Sequence, residues 1–164
     1  MDEERIVAAL RRSGFFGGTD PSDVLAAAEI VEERSAPPGQ HVFFQGDIAT
    51  EFFIVSTGRI RVYVPGHGEE LEIGIAGEGQ MFGEGGMLDG GPRVASAVAV
   101  DPSILLTFAR DRWLRITAER PDLADRMLLA VGASLRRYAS AAIDLLFLDV
   151  EIPEFPPEAN MPPG

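Results

Sequence analysis

Apolar positions along the chain change their period twice. From Asp2 to Arg12, Ile6, Val7 and Leu10 recur at helical spacing behind an acidic start, which predicts a short helix. Ser13-Gly14 ends it, and Phe15-Phe16 forms an apolar plug before Gly17-Gly18. Thr19 or Asp20 then caps a second helix, with Pro21 in its first turn and Val24, Leu25 and Ala28 on one face. From Ile30 to Phe108 the period drops to two, in short runs closed by turn residues. The runs are Val31 to Ala36, His41 to Gln45, Phe52 to Ser56, Arg59 to Val64, the alternation Leu71, Ile73, Ile75, then Arg93 to Val100 and Ser103 to Phe108. Phe52 to Ser56 reads as a continuous apolar strand, ended at Thr57-Gly58. Arg59 to Val64 alternates, with Ile60, Val62 and Val64 on one side. Many short strands at near-regular spacing predict a sandwich or barrel.

After Phe108 the helical period returns. Arg110 to Thr117 reads as a helix with Trp113 and Leu114 facing the barrel, and Pro121 restarts a long helix over 121–147. Ala124, Leu128, Val131, Leu135, Tyr138, Ala142 and Leu145 follow spacings of four and three, a heptad seam. Seams pack on their own domain more often than on a second copy. This one is long enough to do both, about 30 Å at 1.5 Å per residue. The mainly β fold with flanking helices thus occupies residues 1–150, and the acidic, proline-rich stretch 151–164, without periodicity, is expected to be a disordered tail.

Charge narrows the partners. Among 164 residues, 14 are Lys+Arg, all of them Arg, against 26 Asp+Glu, a formal net charge of -12. Such a chain is repelled by nucleic acid and anionic lipid, and its only Arg-rich stretch, 110–137, is interrupted by acids. An anionic ligand must be held locally. Cysteine is absent, which removes disulfides and thiolate metal sites and fits the cytoplasm. The acidic N-terminus does not read as a signal peptide, and no run approaches a membrane span. His41 and His67 are the only histidines and fall in different strand regions, so no metal site is expected. No nucleophile, base and acid assemble into a catalytic set, so an enzyme is not expected either.

The candidate chemistry lies between Met81 and Ala97, MFGEGGMLDGGPRVASA. Gly83 turns the chain, Glu84 offers one acid, Gly85-Gly86-Met87-Leu88 forms a helical turn, and Asp89 to Pro92 is a turn cluster before Arg93. Free backbone N–H groups beside a single Arg make a phosphate cradle. Glycines permit close approach of the backbone, and Arg supplies a fork matched to phosphate oxygens. Glu84 repels a phosphate, so its partner is a sugar hydroxyl. The plain alternative is a surface loop in which Glu84 and Arg93 pair with each other.

The order F-G-E, short turn, G-x-P-R and small residues resembles the phosphate-binding cassette of the cyclic-nucleotide-binding domain family. Over roughly residues 14–150 the chain is most similar to the sensor half of the bacterial cAMP receptor protein family of transcription factors. The resemblance implies a double-stranded β-helix, a jelly-roll-like β-roll, between N-terminal helices and a long C-terminal helix. It assigns Gly83 and Glu84 to ribose and phosphate, Arg93 to the cyclic phosphate, and Ser96 to a Ser/Thr position of the pattern. Gly85 and Gly86 fall within the implied ligand-binding turn. Gly85 stands where the family usually has Leu, which weakens the helical turn. Val94 stands where a hydroxyl often helps with phosphate or a guanine edge, and that leans the expected preference to cAMP over cGMP. Midway along the long helix, Tyr138 and Ala139 fall where family members reach the base, without the usual hydroxyl pair. Tyr138 then stacks on a purine, meets the base edge with its hydroxyl, or belongs to the seam.

Phe147-Leu148-Asp149-Val150 looks like the family's hinge, which there leads to a DNA-binding domain and here leads to the tail. The expected protein is therefore a stand-alone cyclic-nucleotide receptor, a homodimer through the long helix. It would signal to an effector protein of unknown identity, without direct DNA binding and without a membrane. The competing expectation is a ligand-independent interaction protein on a degenerate version of the same fold.

Overall fold

The computed structural model describes residues 2–66 and 68–147, the last three by backbone alone. His67, the hinge beyond Phe147, the side chain of Leu145 and the tail 151–164 lie outside the described residues. Two helices, α1 (Glu3–Arg12) and α2 (Pro21–Ile30), lead into the strands β1 (Glu32–Ala36), β2 (His41–Phe43), β3 (Glu51–Thr57), β4 (Ile60–Gly66), β5 (Glu69–Ala76) and β6 (Met81–Phe82). A 3-10 turn at Glu84–Met87 follows, then β7 (Ser96–Ala99), β8 (Ser103–Ala109), α3 (Arg110–Ala118) and α4 (Pro121–Phe147).

The helix starts follow capping chemistry. Asp2 accepts the Arg5 N–H at 2.9 Å, and Asp20 accepts the Ser22 N–H at 2.8 Å with Pro21 at the first position of α2. The strands form two four-stranded antiparallel sheets, in the orders β1-β8-β3-β6 and β2-β7-β4-β5. This is the jelly-roll-like β-roll that the resemblance implies, where the strand pattern alone predicts a sandwich or barrel.

The near-continuous apolar run in β3 has a direct cause, because each of its faces meets a different core. Phe53 and Val55 point between the sheets with Phe43, Ile60, Phe82 and Leu105. Phe52 and Ile54 point outward with Leu106 and Phe108 against Phe16, Trp113 and Leu123 from the helical layer. Phe52 and Phe108 stack at 4.6 Å, an arrangement that adds to plain burial. The plug Phe15-Phe16 closes this outer core, Phe16 buried and Phe15 edge-on to Trp113.

Two helical faces differ from the pattern read off the chain. Trp113 is buried but Leu114, a rotation of 100° away, is exposed. In α2 it is Ala27 that joins Val24 and Ala28 inside, and Leu25 is exposed. The segment Arg93 to Ala95, expected to be strand, is loop. Its Arg93 N–H reaches Asp47 O and its Arg93 carbonyl accepts from Gly46 N, so the chain bends around the β2–β3 connection before β7 begins.

The long helix carries two stripes side by side. Leu123, Met127, Val131 and Ser134 are buried against the roll. Leu128 and Leu135, both in the expected seam, are 56% and 55% exposed. The seam of spacings four and three therefore divides: Val131 and the half-buried Tyr138 face inward, while Leu128, Leu135 and Ala142 face solvent.

Candidate functional site

Gly83 caps the 3-10 turn in the left-handed conformation, φ 75°. A Cβ there would sit 3.1 Å from Arg93 Nη1 and 3.2 Å from the rings of Phe43 and Phe53. Both backbone and space therefore require glycine. The Arg93 side chain lies beneath this turn. Its Nη1 donates to Gly83 O at 2.7 Å, its Nη2 donates to Glu51 O at 2.6 Å, and its guanidinium lies 4.1 Å from the centroid of Phe43. Arg93 is 7% exposed, and among the described residues its buried Nε has no hydrogen-bond partner. Burial draws the guanidinium downward in pKa, opposed by Glu51 and weaker charges. Arg remains cationic, so a positive group with a spare donor is held in a partly desolvated place.

Glu84 is buried, 3% exposed, and does not pair with Arg93; the surface-loop alternative in which those two form an ion pair is not what the fold contains. Its carboxylate instead accepts Arg137 Nη2 at 3.1 Å, with the Ser134 hydroxyl as a further partner. Burial pushes the Glu84 carboxyl up, and its own backbone N–H, Arg137 and Ser134 pull it back in part. Gly86 packs so tightly that a Cβ would fall 2.1 Å from Ala49 Cβ. Asp89 accepts the Gly91 N–H at 2.8 Å and Gly90 is left-handed at φ 64°, which turns the chain back toward Arg93. Arg110, the first residue of α3, donates to the carbonyls of Met87 and Leu88 at 3.2 and 3.1 Å and closes the turn's C-terminal end.

Above the turn lies a cavity of about 720 Å³ between the β4–β5 ribbon and α4. Val62, Ile73 and Ile75 give it an apolar floor; Gly83 and Glu84 form one wall, and Ser134, Arg137 and Tyr138 the other. The apolar face of β5 expected from its alternation is thus spent on the cavity, with Ile75 43% exposed. Of the residues singled out by sequence, Gly83, Glu84 and Tyr138 line the cavity, Gly85 sits below Tyr138, and Arg93 and Gly86 support the turn from beneath. Val94 is 55% exposed and outside the cavity lining. Ser96 is buried on β7, its Oγ accepting the Gln45 N–H at 2.9 Å. Ser134 and Arg137 escaped sequence reasoning; the one available signal was a serine on the apolar face of a long helix. Among the described residues no group of His, Cys, Asp and Glu is arranged to hold a metal, and no helix is long and apolar enough to cross a membrane.

The model of the cyclic nucleotide-binding domain matches residues 33–120, more than half of the chain. The chain belongs to the cyclic nucleotide-binding domain family. It is 33% identical over 139 residues to the cyclic AMP receptor protein of Thermus thermophilus, an alignment covering 84% of this chain and 63% of that protein. The crystal structure of the Thermus thermophilus catabolite activator protein superposes with a TM-score of 0.71 at 35% identity, covering 82% of this chain and 63% of that one. The regulatory domain of Toxoplasma gondii PKA, solved with cAMP, aligns at 26% identity with a TM-score of 0.64, covering 70% of this chain and 44% of that one. The chain therefore spans under two thirds of the length of these relatives.

Proposed function

We propose that this chain is a receptor module for a 3′,5′-cyclic nucleotide, cAMP foremost and cGMP as the alternative. The observation that carries the reading is Arg93: a buried cation whose Nε lacks a partner among the described residues, itself outside the cavity lining and hydrogen-bonded to the carbonyl of Gly83, the left-handed glycine that does line the cavity. A buried donor without a partner is costly, and a phosphate oxygen is its natural complement. Gly83 and the N–H groups of the 3-10 turn would meet the same phosphate, Glu84 would accept a ribose hydroxyl, and Tyr138 would meet the base from α4.

The output of such a module is mechanical. A ligand acts only through different affinity for two states, and α4 both lines the cavity and carries an exposed apolar stripe. We assign it the transmission of binding to a protein partner, as a homodimer through its exposed stripe. The module is a binder rather than a catalyst. Calorimetric titration with a panel of cyclic mono- and dinucleotides tests the reading: saturable binding of cAMP, weaker binding of cGMP and none of 5′-AMP is the expected result. Absence of binding by every cyclic nucleotide overturns it. The second reading, a ligand-independent scaffold, draws on the Glu84–Arg137 ion pair, which satisfies the site's acid from within the chain.

A further inference from the structure

Three of the glycines around the turn have visible reasons. Gly83 and Gly90 are left-handed, and Gly86 has Ala49 against it. Gly85 has neither reason: it is not among the positive-φ glycines, and a Cβ built on it meets only ordinary contacts, Ser134 Oγ and Tyr138 Cε2, both at 4.0 Å. Both atoms belong to α4. Glycine at this position therefore keeps clear the space beyond a Cβ, on the side where α4 lies. Carbon–carbon contact is optimal at about 3.5–4.0 Å. A single methyl thus fits, and a side chain that branches further reaches the Tyr138 ring.

The neighbouring contacts lie on the same helix face. Ser134, Arg137 and Tyr138 stand at i, i+3 and i+4, so they share one face of α4. That face holds Glu84 through Arg137 and Ser134, and covers Gly85 with the tyrosine ring. Two consecutive turn residues are thus gripped by one helical turn of α4.

We propose that Gly85 and Tyr138 are a matched pair: the missing side chain at residue 85 is the seat of the Tyr138 ring, and its size sets how closely α4 closes over the cavity and which ligands fit beneath it. The consequence for ligands rests on the cyclic-nucleotide reading; the seat itself does not. Because the Tyr138 ring lines the cavity next to the turn, fit is governed by the distance between helix and turn. Residues 85 and 138 determine specificity jointly, and Arg137 is a positioning residue that holds Glu84 from the same helix face.

A double-mutant cycle with two readouts tests this. Thermal melting without nucleotide reads the seat, and titration with cAMP reads its consequence. Gly85→Ala is expected to bind within twofold of the unmodified chain. Gly85→Leu is expected to lower the melting temperature and weaken binding at least tenfold. Adding Tyr138→Ala to Gly85→Leu is expected to recover much of both losses, because it removes the ring that the leucine displaces. Losses that simply add in the double variant, or a Gly85→Leu chain that melts and binds like the unmodified one, would overturn the pair. Failure of the unmodified chain to bind any cyclic nucleotide would instead remove the functional reading, and the melting cycle would still decide the seat.

Discussion

Arg93 carries two roles at once, and its variants separate them. Its Nη atoms satisfy the carbonyls of Gly83 and Glu51, so Arg93→Ala leaves two backbone acceptors short of a partner in a buried place. That costs stability of about 1–3 kcal/mol for each group left unsatisfied. Where a phosphate sits against Arg93, losing the cation also leaves an unpaired anion, about 3–5 kcal/mol or two to three and a half decades in affinity. Calorimetry and melting on the same sample are expected to show both effects, and unchanged binding would end the phosphate assignment. Glu84 behaves differently. Its carboxyl is pushed up by burial, so across the window between the unfolded and the raised folded value the native chain binds more protons than the unfolded one. Stability therefore falls as pH rises through that window. Glu84→Gln is expected to flatten this slope in melting curves taken from pH 4 to 8. It should also weaken a ribose-bearing ligand by about 1 kcal/mol, since a neutral acceptor remains. A slope unchanged in the variant would show that Glu84 is not its source.

The 3-10 turn depends on what grips each of its ends. Gly83 and Arg93 hold its start, Arg110 holds the Met87 and Leu88 carbonyls at its finish, and α4 lies over its middle. Arg110 begins α3, and α3 leads directly to α4. The turn is thus tied to the long helix both through the chain and through space. Arg110→Ala frees the finish of the turn while Arg93 and Glu84 stay in place. Both hydrogen bonds of Arg110 are lost; a net loss of about 1 kcal/mol felt by the bound state predicts roughly fivefold weaker cAMP binding with Arg93 and Glu84 intact. Affinity equal to that of the unmodified chain would show that the turn holds its shape without the clamp.

At the scale of the whole molecule, α4 has more apolar surface than the roll can cover. Leu128 and Leu135 are more than half exposed, and Gly132, Ala139 and Ala142 continue the same side of the helix without a charge. A contiguous apolar stripe of this kind marks an interface, and small residues let two helices approach closely. The expected assembly is a symmetric pair of α4 helices with a ligand cavity on the outer flank of each. Leu135→Glu would set like charges against each other near the two-fold axis, and is expected to give monomers in analytical ultracentrifugation. A chain that already sediments as a monomer at high micromolar concentration, with and without cAMP, would show the stripe has no partner copy.

Local signals were enough for much of this molecule. Asp20-Pro21, the alternation in Arg59 to Val64 and the Gly-rich turns specify elements through capping, period and backbone freedom, which act within a few residues. The motif around Gly83, Glu84 and Arg93 was legible for the same reason: it is one short stretch of chain. What the sequence left open depends on rotation and distance. Whether Leu25 or Ala27, Leu114 or Trp113, faces inward turns on rotations of 200° and 100° about the helix axis that only the packed neighbour decides. The heptad spacing of α4 was visible, but its division into a stripe on the roll and a stripe in solvent was set by where the roll ends. Glu84 found Arg137 and Ser134, and Gly85 lay beneath Tyr138, across about fifty residues of chain. Contacts of that separation leave no local trace, because each partner alone is an ordinary polar or aromatic residue on a helix. The stretch from Met81 to Ala97 was enough for a resemblance to the cassette; the tertiary structure decided what holds its acid, what lies beside its turn and why its second glycine has room above it.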